Sequence, residues 1–156
     1  IIVQDILPGK LDMAKKLGAD ILIDGNLSLD QRLMQVREAT DGFGPDIVIE
    51  ATGVPVVFRE ALDFTGRGGK LVIVGLFADT GAIDIHPAQI CHNELDILGS
   101  YVYPSVMFQD AISLLKRTPL LVEEIVTHVL PLSELPSGIE LSGSEGVGKV
   151  VINPWM

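Results

Sequence analysis

The sequence predicts an α/β fold, a parallel sheet of the doubly wound kind with helices over its faces, and three observations carry that reading. Strand-like apolar runs alternate with helix-like segments from Ile1 to Gly99. The runs are continuous rather than alternating, as in Ile47-Val48-Ile49 and Leu71-Val72-Ile73-Val74, which is the pattern of parallel strands buried on both faces. The first run, Ile1-Ile2-Val3-Gln4, closes abruptly on Asp5. In a doubly wound sheet an acid at the carboxyl end of the second strand can hold the ribose hydroxyls of a dinucleotide, roughly 20 residues after a Gly-rich phosphate loop. With the acid at residue 5 that loop would lie before Ile1, so the expected sheet lacks its first strand. Taken alone, Asp5 fits equally well as a strand end or as the cap of the next helix.

The elements follow in order. Pro8 to Leu17 predicts a helix with Leu11, Ala14 and Leu17 on one face, stopped by Gly18. Ile21-Leu22-Ile23-Asp24 is a short strand, Gly25-Asn26 a turn, and Ser28 the cap of a helix running to about Thr40, with Leu29, Leu33 and Val36 inward. Asp41-Gly42-Phe43-Gly44-Pro45 breaks it before the strand Asp46 to Glu50. Ala51-Thr52-Gly53 turns into a helix from Pro55, with Val57, Ala61 and Phe64 at helical spacing, ended by Gly66-Arg67-Gly68-Gly69. Lys70 to Gly75 is the most apolar, β-branched strand. Ile83 and Ile85 predict a short extended piece, with a helical turn after Pro87 and a strand over Leu95 to Gly99. Beyond Pro104 come a helix with Phe108, Ala111, Ile112 and Leu115 on one face, a short unit from Ile125 to Leu130, a short helix after Ser133, a Gly-rich turn and a last strand from Lys149 to Ile152, read as packing outside the sheet.

Composition narrows the function. A chain of 156 residues with 47% hydrophobic and 21% charged content is long enough for one sizeable core, which disfavours disorder. Eleven basic against 21 acidic residues give a net charge of −10, with the basic ones scattered, so no nucleic-acid partner is expected. No apolar run reaches the ~18 to 20 residues of a membrane span and no signal peptide opens the chain, so the expectation is a cytoplasmic protein with no membrane partner. Cys91 is the one cysteine, which rules out an internal disulfide or a Cys-rich zinc cluster. Position 1 is Ile rather than Met, a further pointer to an upstream segment.

Several motifs are weighed and set aside. Gly143 to Lys149 fits most of the phosphate-loop pattern G-x-x-x-x-G-K-[ST], but Val150 stands where the hydroxyl belongs and a strand follows where a helix is needed. His86, His92 and His128 lack metalloprotease spacing, and no G-x-S-x-G elbow seats a serine nucleophile. What remains is a set of strand ends: Asp5, Ala51-Thr52-Gly53, Val74-Gly75-Leu76 and Gly99-Ser100. Ligands of open α/β sheets bind outside such ends. Val74, Gly53 and Gly75 suit close approach of a flat ring, while Asp5 and Lys10 suit a ribose. Each residue singly has an ordinary reading as a turn glycine or solvated charge, and only their joint pattern points to a site.

The succession Val3-Gln4-Asp5 with Lys10, Ala14 to Asp20, Asp46 to Gly53, Gly68 to Gly75 and Val126-Thr127-His128 closely resembles the medium-chain dehydrogenase/reductase family, nearest its zinc-dependent alcohol and polyol dehydrogenases. The resemblance implies a Rossmann-like sheet lacking its first strand, with 1–101 as a partial NAD-binding domain and 102–156 as a C-terminal segment of the catalytic domain. It implies that Asp5 holds the adenosine ribose and favours NAD over NADP, with Lys10 beside it. Thr52, Gly53 and Val54 would lie along the cofactor, Val74, Gly75 and Leu76 beside the nicotinamide, Ser100 to Val102 facing its carboxamide, and Lys149 near the pyrophosphate. It further implies a homo-oligomer formed by pairing edge strands around Ala82 to Gly99, and zinc bound by residues upstream of anything present here.

The expected function is therefore part of an NAD-dependent, zinc-containing dehydrogenase moving hydride between a small-molecule alcohol and its carbonyl, with no catalytic or metal-binding residue on this chain and no turnover by this chain alone. Alternatives are a zinc-free quinone or enone reductase, a non-catalytic structural or interaction module, and, more weakly, a methyltransferase. The usual strand order places the missing strand mid-sheet, so two strands should show unpaired edges.

Overall fold

The fold is that of a computed structural model, described for residues 1–78, 81–117 and 122–156. In chain order the elements are β1 (Ile2–Asp5), α1 (Pro8–Lys16), β2 (Ile21–Asp24), α2 (Leu29–Glu38), β3 (Ile47–Glu50), α3 (Pro55–Phe64), β4 (Lys70–Ile73), α4 (Pro87–His92), β5 (Asp96–Gly99), α5 (Val106–Arg117), β6 (Val126–Pro131), α6 (Leu135–Leu141) and β7 (Lys149–Asn153). They form two compact units, residues 1–27 with 104–156, and residues 28–103. No helix among the described residues is long and apolar enough to cross a membrane.

In the first unit β1 and β2 pair in parallel, Ile2 opposite Ile21 and Asp5 opposite Asp24. The helix between them starts on Pro8, whose missing N–H costs nothing at that position, and stops on Gly18 at φ 98. There Gly18 N–H donates to Lys15 O and Ala19 N–H to Ala14 O, a Schellman closure that uses carbonyls the helix would otherwise leave open. Ile23 is fully buried beneath it. Separately, β6 and β7 pair in parallel across α6, where a Cβ on Gly138 would meet the side chains of Leu130, Val150 and Ile152 at 3.3 Å each.

In the second unit the order is β3-β4-β5, all parallel, with Val48, Leu71 and Ile97 in one row. That row packs on Ala61 and Leu62 of α3, Ile90 of α4 and Leu95. α2 is held by a capping box, Gln31 N–H donating to Ser28 Oγ while Ser28 N–H donates to Gln31 Oε1. Arg32 of α2 forms a two-pronged ion pair with Glu60 of α3, at 2.8 and 3.0 Å, beside the Phe64 ring.

The α/β class with parallel strands holds, but as three sheets rather than one. Among the described residues β1 pairs only with β2 and β3 only with β4, so both keep an open edge, as expected of a sheet without its first strand. The strand expected to Gly75 ends at Ile73, because the N–H groups of Val74 and Gly75 both turn back to Glu50 O. Ile83 and Ile85 join no strand, since no neighbour offers them a ladder; Ile83 instead borders an apolar hollow of about 310 Å³ with Pro55, Phe58, Ile73 and Phe77. α5 buries none of its residues, so the stripe of Phe108, Ala111, Ile112 and Leu115 lies uncovered.

Candidate functional site

The candidate residues lie in both units, and each group is built from its own strand ends. In the first unit Asp5 closes β1 half-buried, and its Oδ1 accepts from Leu7 N–H at 2.9 Å. This turn fixes the carboxylate, and no described residue donates to its second oxygen. The neighbouring strand end is tied to it: Gly25 N–H donates to Asp5 O, and Asn26 Nδ2 bridges Asp24 Oδ1 and Ile6 O, each at 2.9 Å. Asn26 reads from sequence only as a turn residue; its bridging role depends on a partner 20 positions away.

Lys10 and Lys149 occupy different settings. The Lys10 ammonium donates to Val147 O and so ties α1 to the turn before β7, with no ion pair to Asp5. Lys149 opens β7, exposed and in no ion pair with a described residue. The rejected phosphate-loop pattern folds as that sequence argument requires. A strand follows Lys149, Gly148 N–H donates to Thr127 Oγ1, and a Cβ at Gly148 would stand 2.2 Å from Ile125 O. That glycine packs on protein rather than on a phosphate.

In the second unit three strand ends converge. Glu50, 2% exposed at the end of β3, accepts through Oε1 from Thr52 N–H at 2.7 Å, Thr52 Oγ1 at 2.5 Å and Gly53 N–H at 3.0 Å. Thr52 Oγ1 in turn accepts from Val54 N–H, at the start of α3. Gly53 has φ 71, and a Cβ there would lie 2.3 Å from Leu76 O; one on Gly75 would lie 2.2 Å from Gly53 N and 2.4 Å from Glu50 Oε2. Both glycines allow the two segments to approach one another closely, and around them Val54, Val74 and Leu76 are 44%, 46% and 73% exposed. Ser100 N–H donates to Ile73 O and aligns the end of β5. Val102 follows at φ 58, a left-handed conformation that a β-branched side chain rarely takes. Glu50 is the residue that sequence reading passed over, although it repeats the signal of Asp5, an acid closing an apolar strand.

No group of three or more His, Cys, Asp or Glu that could hold a metal occurs among the described residues, so this chain's described residues do not fit a zinc site. His128 Nδ1 lies 3.0 Å from Thr127 Oγ1, and Cys91 is exposed and free.

A family model described as zinc-binding dehydrogenase matches residues 1–117. The erythritol/L-threitol dehydrogenase of Mycolicibacterium smegmatis is 33% identical over 156 residues, covering 99% of this chain and 42% of that protein. An alcohol dehydrogenase of Thermotoga maritima superposes with TM-score 0.90 at 26% identity, over 97% of this chain and 42% of that one. The 2R,3R-butanediol dehydrogenase of Bacillus subtilis gives TM-score 0.86 at 29% identity, over 99% and 43%. The chain thus spans less than half the length of the relatives it matches.

Proposed function

Because this chain belongs to the zinc-binding dehydrogenase family, we propose that it is the dinucleotide-carrying part of an NAD-dependent alcohol or polyol dehydrogenase. The observation that carries the choice of NAD is Asp5: a carboxylate at the end of a parallel strand, one oxygen fixed by Leu7 N–H and the other open to a ribose diol. A ribose 2′-phosphate at that place would meet a like charge, which favours NAD over NADP. The exposed apolar residues Val54, Val74 and Leu76 supply apolar walls for flat rings. The open left-handed turn at Val102 presents backbone groups to a carboxamide. Lys149 offers a point charge to a pyrophosphate.

Zinc, when bound in a complete enzyme, acts as a Lewis acid on the alcohol oxygen. Its ligands are assigned to residues outside this chain, and hydride transfer by the chain alone is not expected. In the whole enzyme, residues 1–101 are assigned to the cofactor domain and 102–156 to the catalytic domain. Self-association through the region 82–99, whose β5 is an edge strand, and a cytoplasmic location complete the proposal.

The test is the cofactor preference of the complete polypeptide and its Asp5→Asn variant. A hydrogen bond to a charged group contributes about 1.5–3 kcal/mol, so the ratio of kcat/KM for NAD over NADP should fall about 10- to 100-fold. An unchanged ratio refutes the role of Asp5. Metal analysis of the same protein separates this reading from a zinc-free quinone or enone reductase.

A further inference from the structure

Glu50 is the described side chain whose chemistry is least accounted for by folding alone. It is 2% exposed, the three donors to its side chain among the described residues crowd onto Oε1, and Oε2 is buried with no hydrogen-bond partner among them. Burying a carboxyl oxygen in that way is costly. An apolar residue would close the strand more cheaply, as Ile73 does at the neighbouring end of β4. What the carboxyl group does instead is hold a shape. Oε1 gathers the N–H groups of Thr52 and Gly53 into a tight turn, and Thr52 Oγ1, oriented by that same oxygen, accepts from Val54 N–H. Oε2 fills the space against Gly75 that a Cβ would need, and the Glu50 carbonyl takes the N–H groups of Val74 and Gly75. One residue therefore sets both segments, 52–54 and 74–76.

We propose that Glu50 is a positioning residue for dinucleotide binding, its carboxyl group holding the Thr52-Gly53 turn and the Val74–Leu76 segment in the binding-competent arrangement. This rests on the dehydrogenase reading above. The apparent dissociation constant of a ligand scales inversely with the fraction of protein in the competent conformation. Without Oε1, two backbone donors and a hydroxyl lose their common acceptor, and the turn samples other conformations.

The experiment is NADH titration by fluorescence with the complete polypeptide, wild type against E50L and E50Q, together with KM for dinucleotide and for alcohol. E50L should raise the NADH dissociation constant about 10- to 100-fold. E50Q keeps a carbonyl for the three donors but sets an amide where Oε2 meets Gly75 without an acceptor, so a rise of about 3- to 10-fold is expected. The dinucleotide KM should rise far more than the alcohol KM, and amide exchange at Thr52 and Gly53 should quicken in the same order. Should E50L not fold, E50Q decides alone. A folded E50Q that binds NADH within about twofold of wild type with unaltered exchange, or equal rises in both KM values, overturns the proposal. A wild type that binds no dinucleotide defeats the underlying reading itself and is seen before any variant is made.

Discussion

Glu60→Ala should be the most destabilising single change on the α2–α3 face, and its size follows from geometry. Arg32 and Glu60 meet in a two-pronged contact at 2.8 and 3.0 Å, with side chains only 7% and 14% exposed. Removing one partner of a buried pair typically costs about 3–5 kcal/mol, because the remaining charge stays desolvated. Glu60 is the more exposed member and water can reach part of the gap, so the low end, about 3 kcal/mol, applies. At roughly 2–4 °C per kcal/mol for a chain of this size, the melting midpoint should fall by about 6–12 °C. Replacing both residues, Arg32→Met with Glu60→Leu, should recover most of the loss, since a packed apolar pair needs no desolvation to be repaid. Arg67→Ala serves as the reference: its ion pair with Glu94 is 72% and 69% exposed, so the change should stay within about 1 kcal/mol. The assay is urea unfolding followed by circular dichroism, with midpoint and slope compared across variants. A Glu60→Ala loss below about 1 kcal/mol, or a double variant no more stable than the single, would refute the assignment of a structural ion pair.

Three further outcomes are expected. Ser28→Ala removes the side-chain half of the α2 capping box and should cost about 1 kcal/mol in the same unfolding assay. Gly75→Ala drives a methyl to within 2.2 Å of Gly53 N, so it should destabilise by about 1–3 kcal/mol and weaken NADH binding at least about tenfold, read by unfolding and by titration. Ile47 and Ile49 are 60% and 64% exposed on β3, so Ile49→Lys should change stability by no more than about 0.5 kcal/mol in the same unfolding assay.

Local signals were the legible part of this fold. Pro8 and Gly18 bracket α1, Ser28 with Gln31 starts α2, and the β-branched run before Val74 makes a strand, because each rests on residues a few positions apart. Asp5 was legible as a strand-closing acid for the same reason. What sequence could not deliver was anything decided by a distant partner. That the Lys10 ammonium donates to Val147 O depends on a residue 137 positions away, and Asn26 becomes a bridge only because Ile6 is adjacent in space. Glu50 carries the same signature as Asp5, yet its importance depends on the burial that Gly53 and Gly75 create around it. The Phe108 to Leu115 stripe marks a helix correctly, but periodicity says nothing about whether a second surface arrives to cover it.

The two units differ in how they are threaded. Residues 28–103 are one uninterrupted stretch, whereas the other unit joins residues 1–27 to 104–156. Lys10 with Val147 and Lys16 with Glu124 are therefore contacts whose loop-closure entropy is charged over more than a hundred positions, while β3, β4 and β5 pair across short crossovers. On a ribosome the contiguous unit has all its strands available as soon as Gly99 has cleared the exit tunnel. The β1-α1-β2 segment, translated before that unit, must wait for Glu124 and Val147 to follow it before Lys16 and Lys10 of α1 find these partners. For these two long-range ties, synthesis order and completion order are thus inverted relative to residues 28–103.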